Sequence, residues 1–479
     1  MRIHFIGIGG IGVSALARYY LSQGHEVSGS DLVKSEITEA LKREGVTIRI
    51  GKHKISKIKN QTAKIHIKNQ KNYPDIVIYS PAITPDNPEL KFARKLQTIS
   101  YPQALGELTK QYYTIAVCGT HGKSTTTSMI ALTLIKAGFD PTVIVGTKLK
   151  EFGNSNFRLG KSRYLVIEAD EHMASFLNYW PQIIVLTRLE ADHLDYYKNL
   201  NNIFKAFLEF IGHLPKGGTL IMNGDDVNIS KIKNQKSKLH IKNQKYSLKQ
   251  IEANKLKKIL KIPGIHNVSN ALAVLAVARQ LKIPDKITFQ ALSEYRGAWR
   301  RFEITNTNLC ETKQIHEKTR KIIIVSDYGH HPTEVLVTLQ AAREKYPKKK
   351  IWCVFQPHQY QRTYYLFKDF VRALAQAPVD KLIITDIYSV AGRESARIKK
   401  LVNSEKLVKA IIEAEKRGLT HRLTRKGRET IFIPEIRKIK EYLLANLHGG
   451  EVVVIMGAGD IYNLTKSFNY SGDKCEKRT

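Results

Sequence analysis

The sequence predicts an α/β protein made of three parallel-sheet units. Three observations carry this: short apolar runs rich in Ile and Val, a helical segment after most of them, and a glycine turn at the junctions. The length of 479 residues fits about three domains at roughly 150 residues each. Residues 3–6 form a buried strand, 7–12 a glycine turn, and 13–23 a helix stopped by Gly24. A strand from Glu26 ends near Asp31, and another covers 76–79. Strand 115–118 opens the second unit, again followed by a glycine turn and then by a helix over 124–137. Strands at 164–167, 183–186 and 220–222 have the length and branching of buried parallel strands, and a helix spans 267–281. After Arg300 a third unit places strands at 322–325, 351–355, 382–385 and 452–456. The polar tail beyond Lys466 is expected to fray.

Hydrophobic residues at 42% and charged residues at 25% exclude a disordered or fibrous chain. No run approaches the ~18 apolar residues of a membrane span, and Met1 leads into Arg2 and a glycine cluster instead of a signal peptide. A cytoplasmic protein without membrane insertion is expected. Cys118, Cys310, Cys353 and Cys475 are too far apart for a CxxC pair, which predicts four free thiols.

The net charge is +34, from 77 Lys+Arg against 43 Asp+Glu, a balance often associated with polyanion binding. Its distribution argues otherwise. Residues 49–72 carry eight basic residues and no acid, and residues 229–261 carry eleven against Glu252 alone. Within them, ISKIKNQTAKIHIKNQK (55–71) and ISKIKNQKSKLHIKNQK (229–245) are near-identical copies. Two copies in unrelated surroundings read as surface insertions, since repeat architectures need about three stacked units. Without interleaved aromatics to stack bases, no specific nucleic acid is expected. The alternation in 64–68 and 238–242 permits an added edge strand.

Gly7, Gly9, Gly10 and Gly12 form a G-x-G-x-x-G turn between strand and helix, with Asp31 at the end of the next strand. Backbone amides there can face a diphosphate while Asp31 accepts from a ribose hydroxyl. The motif alone admits a nicotinamide cofactor, a uridine diphosphate sugar or a purely structural turn. Gly119-Thr120-His121-Gly122-Lys123-Ser124-Thr125 is sharper. The amides approach phosphate oxygens, the lysine neutralises β and γ phosphates, and the next hydroxyl can ligate Mg²⁺. The loop is shortened, because the first glycine of G-x-x-x-x-G-K-[ST] would fall on Val117. Glu168 and His193 lie near predicted strand ends and with Ser124 could hold Mg²⁺, although each also reads as a structural side chain. Asp170, Glu171, Asp192 and Asp195 crowd the same ends, a density that needs a cation or another reason.

Together with these loops, EADE at 168–171, DHLDYY at 192–197, GIHNVSNALA at 264–273, WRRFE at 299–303, DYGHHPTE at 327–334, FQPHQYQRT at 355–363 and MGAGDI at 456–461 resemble the Mur ligases, most closely their alanine-adding branch. The resemblance runs from Ile3 to Ile461. It implies an N-terminal Rossmann-like UDP-sugar domain (1–108), a central P-loop ATPase domain (109–298) and a C-terminal Rossmann-like amino-acid domain (299–466), followed by a tail at 467–479. It also implies ATP-dependent joining of L-alanine to the lactyl carboxylate of UDP-N-acetylmuramate through an acyl phosphate, in peptidoglycan precursor synthesis. On the same basis Lys123 binds phosphates, Ser124 and Glu168 bind a first Mg²⁺, His193 a second, and His266 and Asn270 lie by adenine. Arg300 or Arg301 would reach phosphate, Tyr328, His330 and Arg362 would face the alanine, and Ser80 would join the UDP-sugar loop. His331 and His358 also read as buried hydrogen-bonders. Gln359 stands where the family usually has Arg, and Thr187-Arg188 where it usually has Asn-Ile. The nearest rival is a murein-peptide ligase. A dehydrogenase would leave the Lys123 loop unexplained, and a nucleic-acid binder would explain only the charge.

Overall fold

A computed structural model describes residues 1–51, 73–232, 240–309, 320–390, 394, 396–419 and 428–468. The chain forms two compact units. One comprises Met1–Glu190, Asn201–Ala253 and Ser269–Ser293, and the other Ala191–Leu200, Asn254–Val268 and Glu294–Thr479.

The first unit holds two sheets. Strands β1 (Arg2–Ile6), β2 (Glu26–Asp31), β3 (Thr47–Ile50), β4 (Ile76–Tyr79) and β5 (Thr98–Ser100) are parallel in the order β3-β2-β1-β4-β5. Ile3, Phe5, Val27, Val77 and Ile78 bury their side chains, as expected where strands are covered on both faces. The second sheet comprises β6 (Tyr113–Cys118), β7 (Thr142–Leu149), β8 (Ser155–Arg158), β9 (Tyr164–Glu168), β10 (Ile183–Leu186), β11 (Thr219–Asn223) and β12 (Lys242–Tyr246). Its order is β12-β11-β10-β6-β9-β7-β8, and only β8 runs antiparallel to its neighbour. In each sheet the chain reverses direction of winding beside the central strand, β1 or β6. The carboxyl end of that strand is therefore a switch-point crevice, and each glycine turn lies there.

These two sheets share a buried polar junction. Asn156 on β8 accepts from Arg18 at 2.6 Å and donates to Ser14 at 2.9 Å, and Arg18 also pairs with Glu44 at 2.8 Å. Ser14 and Arg18 belong to helix Ile11–Ser22, the helix that the first glycine turn opens.

The second unit carries β13 (Glu303–Leu309), β14 (Arg320–Asp327), β15 (Ile351–Phe355), β16 (Lys381–Ile384), β17 (Glu429–Phe432) and β18 (Val452–Met456). The order is β13-β14-β18-β15-β16-β17, with β13 the antiparallel edge. Val325, Cys353, Phe355, Val454 and Met456 pack on one face, and Ile324, Val354, Val453 and Ile455 on the other.

Two expectations change. The strand at the second basic copy is the edge strand β12, but it begins only at Lys242, the last residue of the alternating stretch at 238–242, and runs on to Tyr246. Gly217 N–H donates to the His240 carbonyl at 2.9 Å and Lys242 N–H to the Gly218 carbonyl at 2.8 Å. The first copy lies outside the described residues. Of the tail beyond Lys466, Phe468 does not fray, since it is buried and its carbonyl accepts from Thr307 at 3.0 Å, and residues 469–479 lie outside the described residues. Neither Cys118 nor Cys353 is in a disulfide, whereas Cys310 and Cys475 lie outside the described residues. Among the described residues no helix is long and apolar enough to cross a membrane.

Candidate functional site

In the first unit, the turn after β1 is closed by its own acid. Asp31 accepts from Gly9 N–H at 2.8 Å and from Val33 N–H at 3.2 Å. A side chain at Gly9 would meet the Asp31 carboxylate at 2.7 Å, and one at Gly12 would meet the Tyr101 hydroxyl at 2.7 Å. Ser80 packs on Gly7, and Gly10 caps the helix that follows.

The turn after β6 is built more tightly. Gly119 and Gly122 have φ of 127° and 83°, values that only glycine adopts without strain. A Cβ on Gly122 would lie 2.6 Å from the Asn270 side-chain oxygen. Thr187 donates to the carbonyls of Cys118 at 3.1 Å and of His121 at 2.6 Å, and Thr120 N–H donates to the Arg188 carbonyl at 2.9 Å. Lys123 opens helix Lys123–Lys136, and its Nζ donates to the Gly119 carbonyl at 2.8 Å and to Glu171 at 2.8 and 3.0 Å. Asp170 is 3.8 Å away. Burial alone would lower the Lys123 ammonium, but Glu171 and then Asp170 raise it above the ordinary lysine range. Lys123 is thus a cation for part of the acidic cluster. Ser124 and Thr125 are buried, and His121 faces Glu190 at 3.3 Å. Glu168 accepts from Gly146 N–H at 2.7 Å.

The second unit gathers the remaining candidates. His193 precedes helix Leu194–Tyr197 with φ of 51°. Its neighbour Asp192 accepts from Arg362 Nε at 3.0 Å, and both side chains are buried. Burial would raise Asp192, yet Arg362, followed by His193, His331 and His330, holds it well below the usual carboxylate range. His331 bonds the Ala191 carbonyl at 3.1 Å and caps helix Pro332–Lys345. The Arg300 guanidinium lies over the rings of Tyr328 and Tyr462, 4.8 Å from each, and donates to the Gly457 carbonyl. The Arg301 guanidinium also lies over the Tyr328 ring, at 5.1 Å. Burial pushes the His330 imidazole down to about 3, His358 down to about 2 and His266 down to about 4. Left-handed backbone at His193, Arg300, Phe302 and Gln359 adjoins these positions, and strain of this kind collects at working sites.

Three family models match the chain in order. The Mur ligase family catalytic domain matches residues 2–113, the Mur ligase middle domain 117–278, and the Mur ligase glutamate ligase domain 300–459. A UDP-N-acetylmuramate--L-alanine ligase of Acetivibrio thermocellus is 37% identical, covering 98% of this chain and 95% of that protein. The chain belongs to the Mur ligase family. A ligase of the same name from Clostridium acetobutylicum is 36% identical over 98% of this chain and 97% of its own. Among solved structures, the UDP-N-acetylmuramate-alanine ligase MurC from Thermotoga maritima matches with a TM-score of 0.75 and 26% identity, covering 99% of this chain and all of that one. A murein peptide ligase from Psychrobacter arcticus matches in fold, with a TM-score of 0.67, 24% identity and 98% coverage of each chain.

In this Mur ligase the first unit brings Lys123, Ser124 and Asn270 to one glycine loop, and the second brings Arg362 and His358 together. Sequence reasoning gave no role to Tyr101, Thr187 or Asn156. Thr187 carried a signal, as a departure from the family pattern beside the loop it ties. Tyr101 and Asn156 carried none, because each acts through contacts with residues distant in sequence.

Proposed function

We infer that this Mur ligase is an ATP-dependent ligase that joins L-alanine to the lactyl carboxylate of UDP-N-acetylmuramate, in cytoplasmic synthesis of the peptidoglycan precursor. The observation that carries this reading is the end-to-end match to relatives bearing that name. Lys123 in its glycine loop supports the ATP half of it.

The chemistry follows from the reactants. A carboxylate resists attack by an amine, so a lactyl oxygen first takes the γ-phosphoryl of ATP and ADP departs. Alanine's neutral amine then attacks the acyl carbon, phosphate leaves with that oxygen, and the nitrogen gives up one proton to the departing phosphate or to water as the amide forms. Lys123 exchanges Glu171 for the β and γ phosphates and offsets their charge. Gly119, Thr120, His121, Gly122 and Thr125 supply loop contacts, and His266 and Asn270 the adenine side. The oxygen donors Ser124 and Glu168 suit Mg²⁺, and His193 adds a nitrogen donor for a second ion. Glu168 meets a glycine, Gly146, where any Cβ would lie 2.7 Å from its carboxylate, so the donor is closely confined. When bound, Mg²⁺ supplies further neutralisation of phosphate charge. Gly7, Gly9, Gly10, Gly12, Asp31 and Ser80 receive the UDP-sugar, Arg300 contacts phosphate, and Tyr328, His330 and Arg362 receive alanine. We assign these roles to domains at 1–108, 109–298 and 299–466.

The test is phosphate release with ATP, Mg²⁺ and UDP-N-acetylmuramate across a panel of amino acids. L-alanine is expected to give the highest kcat/KM, and release that ignores alanine or the UDP-sugar would overturn the assignment.

A further inference from the structure

The guanidinium of Arg362 is held unevenly. Its Nε donates to Asp192 Oδ1 at 3.0 Å, a buried charge-assisted bond. Its Nη1 reaches only neutral acceptors and only at 3.4 Å, His358 Nδ1 and Gln359 Oε1. The same Asp192 oxygen accepts from His193 N–H at 2.7 Å, which fixes the carboxylate against its own backbone. Helix Tyr360–Tyr365, which carries Arg362, follows Gln359, whose φ of 70° turns the chain sharply into it. A small cavity beside the pair is lined by the carboxylates Asp192 and Asp195 among others, with His193, Gln359, Arg362 and Tyr365.

We propose that Asp192 is a positioning residue for the amino-acid substrate: it anchors the Nε edge of Arg362 so that the Nη edge is presented to the α-carboxylate of the incoming amino acid. The inference rests on the reading of Arg362 as the partner of that carboxylate. A carboxylate forms short charge-assisted bonds with a guanidinium edge and displaces the long neutral contacts of His358 and Gln359. Asp192, already bonded to Nε, need not be displaced. An unanchored arginine would have to lose rotamer freedom on binding, so the anchor lowers the cost of capturing a small ligand.

The experiment measures KM for L-alanine, UDP-N-acetylmuramate and ATP in the wild type and in Asp192→Asn, Asp192→Glu, Arg362→Gln and Asp192→Asn/Arg362→Gln. Alanine KM should rise about tenfold in Asp192→Asn, equivalent to ~1.4 kcal/mol, with the other two KM values within about twofold and kcat changed less than KM. Asp192→Glu, which keeps the charge, should lie between that variant and the wild type. In the Arg362→Gln background the Asn change should add less than about twofold. An unchanged alanine KM, or a parallel rise in all three KM values, overturns the proposal. If Asp192→Asn does not fold, the selectivity of the Asp192→Glu change decides by the same criterion. Absence of alanine-dependent phosphate release in the wild type would instead sink the underlying reading.

Discussion

Lys123 and Glu171 form a buried pair at 2.8 Å, so each variant of Lys123 has two consequences that measurement can separate. Lys123→Ala should cut ATP turnover by at least about a thousandfold while UDP-N-acetylmuramate binding stays within about threefold, since the two glycine turns open different sheets. It should also cost roughly 3 kcal/mol of stability, because Glu171 is left buried without its cation. Adding Glu171→Gln should recover much of that stability in urea melts and none of the turnover. Stability recovered together with turnover would contradict the role given to Lys123. Glu168→Gln keeps an oxygen for the Gly146 N–H and should leave the thermal midpoint nearly unchanged while raising the Mg²⁺ concentration needed for half-maximal rate. A collapsed midpoint would make Glu168 structural. Three imidazoles, His266, His330 and His358, are pushed down to about 4, 3 and 2. They are therefore neutral in the fold where the unfolded chain, with an ordinary value near 6.5, already binds protons. Their contribution is present above pH ~6.5 and is lost as pH falls below it, at roughly 1 kcal/mol per histidine per pH unit. Urea midpoints should thus fall from pH 7.5 to 5, and His358→Gln should flatten that slope. A midpoint that rises on acidification would reverse the sign.

At the scale of elements, the interior was legible and the margins were not. β4, β10, β15 and β18 are apolar runs whose bounds are the expected ones, and β1, which also carries Arg2 and His4, begins one residue earlier than expected. β12 reads Lys-Asn-Gln-Lys-Tyr and buries only its tyrosine, so its pairing with β11, not its composition, makes it a strand. β3 and β13 are likewise half-exposed or polar edges. The glycine loops were legible because φ above zero and close backbone approach demand glycine. The Asp192–Arg362 bond was not, because its partners are 170 positions apart. The basic copies are a test of this view. Replacing their lysines by serine while keeping Ile229 and Ile232, which are buried, should leave ligase kcat/KM within about twofold at moderate salt and weaken retention on heparin. A loss beyond about tenfold, or ~1.4 kcal/mol, would make the copies part of the working site.

For the whole molecule, the residues proposed for the reaction are distributed over both compact units: Lys123, Ser124 and Glu168 belong to one, and His193, Arg300, His330 and Arg362 to the other. The same chain must pass one oxygen atom from the sugar's carboxylate to inorganic phosphate, and no side chain has to take a covalent part. That transfer distinguishes the proposed reaction from simple ATP hydrolysis, in which water supplies the oxygen. The most direct measurement is a turnover experiment with UDP-N-acetylmuramate carrying ¹⁸O in its lactyl carboxylate, followed by mass analysis of the released phosphate. The account predicts one ¹⁸O in each phosphate released with L-alanine present, and unlabelled phosphate accompanying amide formation would contradict it.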